Sequence, residues 1–182
     1  MRLSSFAVAL VFAGVGVGCG GNDGAAPVCT GTGCSCTDSA CTCAAGTDCK
    51  TQCGEDACSL DCTTSAKCEG NTTGPLTLAC QDSSQCKGAG GDGSVITCEA
   101  MANCDLKAGA NSSATCSDTA VCKLNLGASS TVSCHEQSAC NIKCDTNCVV
   151  TCAATAECAV TCGPADTAAT TCTDGRIVCG NC

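Results

Sequence analysis

Tryptophan and tyrosine are absent from this chain of 182 residues, histidine occurs once, and the only aromatics are Phe6 and Phe12. A chain so poor in rings lacks the usual stacking platforms for bases and sugars. With His135 alone, the composition argues against Cys–His zinc sites. Positive charge is scarce as well: 8 basic residues stand against 17 acidic ones, and the net charge of −9 argues against a general affinity for nucleic acid or acidic lipid. What the chain has in excess is cysteine, 27 residues, together with 21 glycines. That much cysteine signals either a disulfide scaffold or a metal-thiolate cluster.

The N-terminus reads as an export signal over residues 1–18. Met1-Arg2 supplies the positive start, Leu3 to Val17 an apolar run too short for an ordinary membrane span, and small residues follow before Cys19. This arrangement resembles the lipobox of bacterial lipoproteins. Val17 and Gly18 fit the two positions before the cysteine, while the third position back holds Gly16 where that family usually has an aliphatic residue. The resemblance implies that Cys19 is acylated and becomes the new N-terminus. Membrane lipid is then a partner, and Gly20 at the next position resembles lipoproteins sorted to the outer membrane. Cysteine arithmetic agrees: without Cys19 the remaining 26 form an even set that can pair completely. Residues 19–28 read as the lipidated cysteine and a flexible tether. Both phenylalanines fall in the signal, so nothing aromatic remains after it.

The strongest pattern is a period. Cysteines recur at Cys62, Cys80, Cys98, Cys116, Cys134 and Cys152, and again at Cys68, Cys86, Cys104, Cys122, Cys140 and Cys158, each series stepping by 18. A fixed repeat of this length predicts a solenoid with one coil per repeat. Numbering each repeat from its first cysteine, position 5 is always Ala or Ser and position 17 always apolar (Leu78, Ile96, Ala114, Val132, Val150). Alternation predicts two strands per coil. One runs over positions 15 to 2, with 15, 17 and 1 inward, and the other over 5 to 9, with 5, 7 and 9 inward. Positions 10–14 are read as a wide turn in which Gly90, Gly109 and Gly127 supply positive φ. The fold class expected is an all-β parallel solenoid spanning residues 43–161.

Positions 1 and 7 face each other across the coil, so each C-x5-C should be a disulfide rung, with Cys43–Cys49 as the first. A disulfide holds its Cα atoms about 4.4–6.8 Å apart, whereas sheets pack about 10 Å apart. One end of the coil must therefore be pinched, and only Ala or Ser fits there. At the wide end sizes are expected to compensate, Gly70 with Leu78, Gly88 with Ile96 and Leu106 with Ala114. Two coils carry extra cysteines, predicted to pair as Cys53–Cys58 and Cys144–Cys148. The expected caps are residues 29–42, where the pairing of Cys29, Cys34, Cys36 and Cys41 is left open, and residues 162–182, read as Cys172–Cys179 and Cys162–Cys182.

The C-x5-C repeat resembles the disulfide-rung β-solenoids of beetle antifreeze proteins, and the start VCTGTGCSCTDSACTC resembles their N-terminal cap. Those proteins have a shorter coil and a Thr pair flanking the first cysteine; here the second flank holds Gln81, Glu99, Ser117, His135 and Ala153. The resemblance implies the architecture, without a direct ice site. A neighbouring outward column of small hydroxyl and β-branched residues (Thr77, Val95, Thr97, Ser113, Thr115, Thr131, Ser133, Val149, Thr151) is a candidate binding face. Its plain reading is strand propensity on an exposed sheet.

Chemistry is otherwise sparse. A metallothionein-like cluster would favour dense C-x-C spacing in a reducing compartment, and only Cys34/Cys36 and Cys41/Cys43 show it. His135 and Glu136 form no specified acid–base site. The stretch 88–96 (GAGGDGSVI) resembles a calcium-binding nonapeptide, but a single copy reads as a turn. The sequence thus predicts no enzyme, no cofactor, no metal and no nucleic-acid partner. It predicts an outer-membrane lipoprotein with a structural or adhesive role and an unidentified surface partner, similar in composition to cysteine-rich lipoproteins of myxobacteria. The alternatives are ice binding and an inhibitor or toxin-like scaffold, for which only residues 163–171 approach a protruding loop.

Overall fold

The structure, a computed structural model, describes residues 26–182. The expected signal, Cys19 and the first part of the tether lie outside the described residues. The chain winds as a parallel β-solenoid, each coil giving one strand to each of two sheets, and no helix occurs among the described residues.

The nine-stranded sheet is built on Asp48–Gln52, Lys67–Asn71, Gln85–Gly90, Asn103–Ala108, Val121–Leu126, Ala139–Cys144 and Glu157–Cys162, all parallel. The ten-stranded sheet is built on Ala40–Cys43, Cys58–Cys62, Leu76–Cys80, Val95–Cys98, Ser113–Cys116, Thr131–Cys134 and Cys148–Cys152, likewise parallel. The register follows the 18-residue period: Cys86, Cys104, Cys122, Cys140 and Cys158 are successive neighbours in one sheet. Equivalent residues stack in columns, so a column in the sequence is a line along the rod.

Alternation places the columns as the period predicts. Leu76, Leu78 and Cys80 point inward on one sheet, and Ala102, Cys104 and Leu106 on the other sheet one coil further on, all nearly inaccessible. Later coils depart from the expected strand end. Their strands run on past position 9 to position 11, where Ala108, Leu126 and Cys144 are buried. The inward residues Leu124 and Leu126 continue the same two-residue alternation, which glycines at the equivalent points of earlier coils obscure.

The glycine reading is corrected in the same region. Gly90, Gly109 and Gly127 do not have positive φ; that conformation belongs to Gly93, Asn111, Ser129 and Asn147, and on the opposite edge to Asp82, Ala100, Asp118 and Glu136. Gly109 and Gly127 are small for a different reason. A Cβ on Gly109 would lie 2.6 Å from the backbone nitrogen of Asp92, and one on Gly127 at 2.6 Å from that of Ala110. The adjacent coil approaches too closely for any side chain. Size compensation also differs in its partners. The space above Gly70 is filled by Leu60 and Leu76, and Gly88 is needed because a Cβ would run into the carbonyl of Gly70 in the coil before it.

Both ends of the stack are closed by short strands running against it. Val28–Thr30 pairs antiparallel with Asp48–Gln52, and Cys34–Thr37 with Ala40–Cys43. At the other end Thr167–Ala168 pairs antiparallel with Glu157–Cys162, and Ile177–Cys179 with Cys148–Cys152, followed by Thr170–Thr171 on Ile177–Cys179. Edges of two to four residues offer little template for further pairing. Residues 163–171 therefore do not form a protruding inhibitor-like loop; they contain two of these closing strands.

Candidate functional site

Thirteen disulfides account for all 26 cysteines of the described residues. Each C-x5-C pair forms a rung, with Cα separations from 5.8 Å at Cys43–Cys49 to 6.7 Å at Cys134–Cys140. The sheets are held well inside their ordinary packing distance, and Ala66, Ala102 and Ala120 beside the rungs are fully inaccessible. Where serine replaces alanine it turns its hydroxyl to sulfur, Ser84 Oγ lying 3.0 Å from Cys80 Sγ.

Cys53–Cys58 and Cys144–Cys148 are joined, as are Cys29–Cys34 and Cys36–Cys41, the four whose pairing the sequence leaves open. The C-terminal pairing differs from expectation. Cys162 bonds Cys179 and Cys172 bonds Cys182. The reason lies in the strand order: Ile177–Cys179 folds back antiparallel onto the last full coil and brings Cys179 beside Cys162, leaving Cys172 to the terminal residue. Sulfurs of successive rungs also approach one another, those of Cys80, Cys86 and Cys104 lying within 4.8 Å. All three are oxidised in disulfides and present no thiolate, the form that ligates metals.

The wide end of the coil hides a polar ladder. Position 15 holds Ser94, Ser112 and Ser130, all buried. Each hydroxyl donates to the carbonyl three residues earlier, Gly91, Gly109 or Gly127, at 2.7 to 2.8 Å. Each also accepts a backbone N–H from the preceding coil: Leu76 to Ser94 at 3.0 Å, Ser94 to Ser112 and Ser112 to Ser130 at 3.2 Å. Among the described residues, every buried side-chain oxygen or nitrogen has a partner.

Acidic residues at the tight turns brace the neighbouring coil, Glu136 and Asp118 the one before them and Asp92 the one after. The backbone N–H of Asp118 donates to Glu136 at 2.9 Å and that of Ala100 to Asp118 at 3.1 Å, and on the opposite edge Ala110 donates to Asp92 at 2.7 Å. Glu136 is thereby occupied as a turn brace beside the exposed His135. Asp92, within the glycine-rich 88–96 stretch, does the same.

Two outward faces remain. On the ten-stranded sheet, Thr77, Val95, Ser113, Thr131 and Val149 form one in-register line, and Ala79, Thr97, Thr115, Ser133 and Thr151 a second. The nine-stranded sheet is different. Its central outward line reads Lys50, Glu69, Lys87, Asp105, Lys123 and Asn141, alternating in sign from coil to coil. Ion pairs Lys50–Glu69 at 3.0 Å and Lys123–Asp105 at 3.5 Å join neighbours in it. The Lys50 ammonium, as hydrogen-bond donor and as nearby charge, holds the Glu69 carboxyl below its ordinary range. At the C-terminal cap, the backbone N–H and then the guanidinium of Arg176 do the same for Asp174.

The serine ladder and the charge alternation escape a reading guided by cysteine alone. Both carry the 18-residue spacing in the sequence, and the structure adds which side of the strand each line occupies. Comparison with protein-family models, with curated proteins and with solved structures finds no match. The fold and the two faces therefore carry the functional reading: a disulfide-rich solenoid scaffold suited to a structural or binding role, with a disulfide content that belongs to an oxidising, extracytoplasmic setting.

Proposed function

We propose that the protein is an exported lipoprotein, acylated at Cys19 and held at a bacterial outer membrane as a rigid, non-catalytic structural or adhesive rod. The observation that supports this most is the cysteine count. Thirteen bridges take every cysteine of residues 26–182, and Cys19 is the one cysteine in front of that closed set. Several acyl chains on one residue anchor stably where one alone does not. The test is intact mass of the natively expressed protein before and after reduction, beside a Cys19→Ser variant. Acyl chains on Cys19, no reactive thiol without reductant, and release of the variant from the membrane fraction are the expected results. An unmodified Cys19, or about 26 free thiols before reduction, refutes the reading.

A second reading attaches to the ten-stranded sheet. Its outward lines from Thr77 to Thr151 carry no charge and repeat at the strand spacing of about 4.8 Å, a regular surface of the kind ice binding requires. Thermal hysteresis equal in the wild type and a Thr97→Lys, Thr115→Lys double variant rules it out.

A further inference from the structure

All six lysines of the chain lie on one face, the outward side of the nine-stranded sheet, and they fall one per coil on six successive coils: Lys50, Lys67, Lys87, Lys107, Lys123 and Lys143. The parallel register makes them a stripe along the rod, about 4.8 Å per coil and about 24 Å in all. Five carboxylates share the face, Asp48, Glu69, Asp105, Glu157 and Asp166, so it is net positive by one in a strongly acidic molecule. Lys67, Lys87 and Lys107 have no carboxylate within 4 Å among the described residues and are exposed. The remaining three pair at the surface, where ion pairs are worth little and yield to a competing anion. Three shallow depressions of about 430, 450 and 300 Å³ open on the same face.

We propose that this stripe binds an extended acidic polysaccharide of the uronate type, lying along the rod axis. An extended pyranose chain advances by close to one strand spacing per ring, so successive lysines meet successive or alternate carboxylates. The interspersed acids and amides (Glu69, Asp105, Gln85, Asn103) supply acceptors for hydroxyl groups, which a polymer carrying phosphates alone would not use. Single-stranded nucleic acid is disfavoured because the strands of this face carry no aromatic ring on which bases could stack.

The proposal deepens the adhesive reading given above. Acylation is measured by mass without any ligand, so the two fail separately. The probe is polygalacturonate, offered to the full-length oxidised protein, with neutral dextran and poly(dT) as comparison arms. Binding to polygalacturonate that weakens with salt, at least tenfold loss in a Lys67→Gln, Lys87→Gln, Lys107→Gln variant, and severalfold gain in a Glu69→Gln, Asp105→Asn variant are expected. The salt slope of the triple variant should fall by about two to three. All variants are surface changes, and intact mass verifies their thirteen bridges. No binding to polygalacturonate at low salt, equal binding by the triple variant, equal binding to dextran, or tighter binding to poly(dT) each overturns the proposal.

Discussion

The backbone N–H of Ser94 donates to the hydroxyl of Ser112 one coil further on, at 3.2 Å, inside a core made mostly of sulfur and aliphatic side chains. The same hydroxyl donates to Gly109 at 2.8 Å. Replacing it leaves the buried Ser94 N–H without a partner and the Gly109 carbonyl with only the longer contact from the Ser130 hydroxyl, at 3.5 Å. Ser112→Ala is expected to cost about 1–3 kcal/mol and to raise hydrogen exchange at the Ser94 amide while distant rungs keep their protection. Unchanged exchange at Ser94 would contradict this account of the ladder.

Packing beside a rung leaves no spare volume. Ala120 is fully inaccessible next to Cys116–Cys122, and its column accepts serine at Ser84 and Ser138. Ala120→Ser should therefore be close to neutral, whereas Ala120→Leu forces the sheets apart at a cost of about 1–3 kcal/mol or more. Thermal melting of the two variants, with intact mass to verify thirteen bridges, separates these outcomes.

Removing one central rung tests what the staples contribute. The loop closed by Cys116–Cys122 is short, so deleting it as a Cys116→Ala, Cys122→Ala pair is expected to cost about 2–4 kcal/mol from lost chain constraint and the void left behind. Neighbouring rungs persist, and exchange should rise mainly in the coils on either side. Peptide mapping without reduction should recover Cys162–Cys179 and Cys172–Cys182 in the intact protein.

Protonation behaves simply. Glu69 and Asp174 have depressed values in the folded chain, the first through Lys50 and the second through Arg176. A depressed carboxyl contributes stability that is present above its unfolded value and is lost as pH falls through its folded value. Both groups are solvent-exposed, so the effect on melting is small and confined to strongly acid conditions. NMR titration should place Glu69 below an ordinary glutamate, and Lys50→Gln should bring it back up.

The period made the coil, its two strands and its rungs legible, because a residue repeated every 18 positions must occupy the same place in every winding. Ala66, Ala102 and Ala120 revealed the pinched end for the same reason. What the period could not carry is whatever breaks it. The pairing of Cys162 and Cys172 depends on Ile177–Cys179 reversing direction, and nothing in the local spacing specifies that reversal. The small residues at Gly109 and Gly127 were legible as glycine but not in their cause, since a close approach from the next coil leaves no mark within one repeat. The lysine stripe wanders over three outward positions from coil to coil, so no single column displays it. It becomes visible once the six residues are placed on one sheet.

The reversed strands at the two termini have a consequence for how such a molecule can change in size. A rod sealed by chain running the other way does not grow by end-to-end addition of further copies. Its reach is fixed by how many eighteen-residue units the gene encodes between the seals. Duplicating one interior unit, for example the segment from Cys98 to Thr115, should lengthen the rod by about 4.8 Å. Both flanks and both seals would remain as they are, which makes length a trait that duplication can adjust without redesigning either surface.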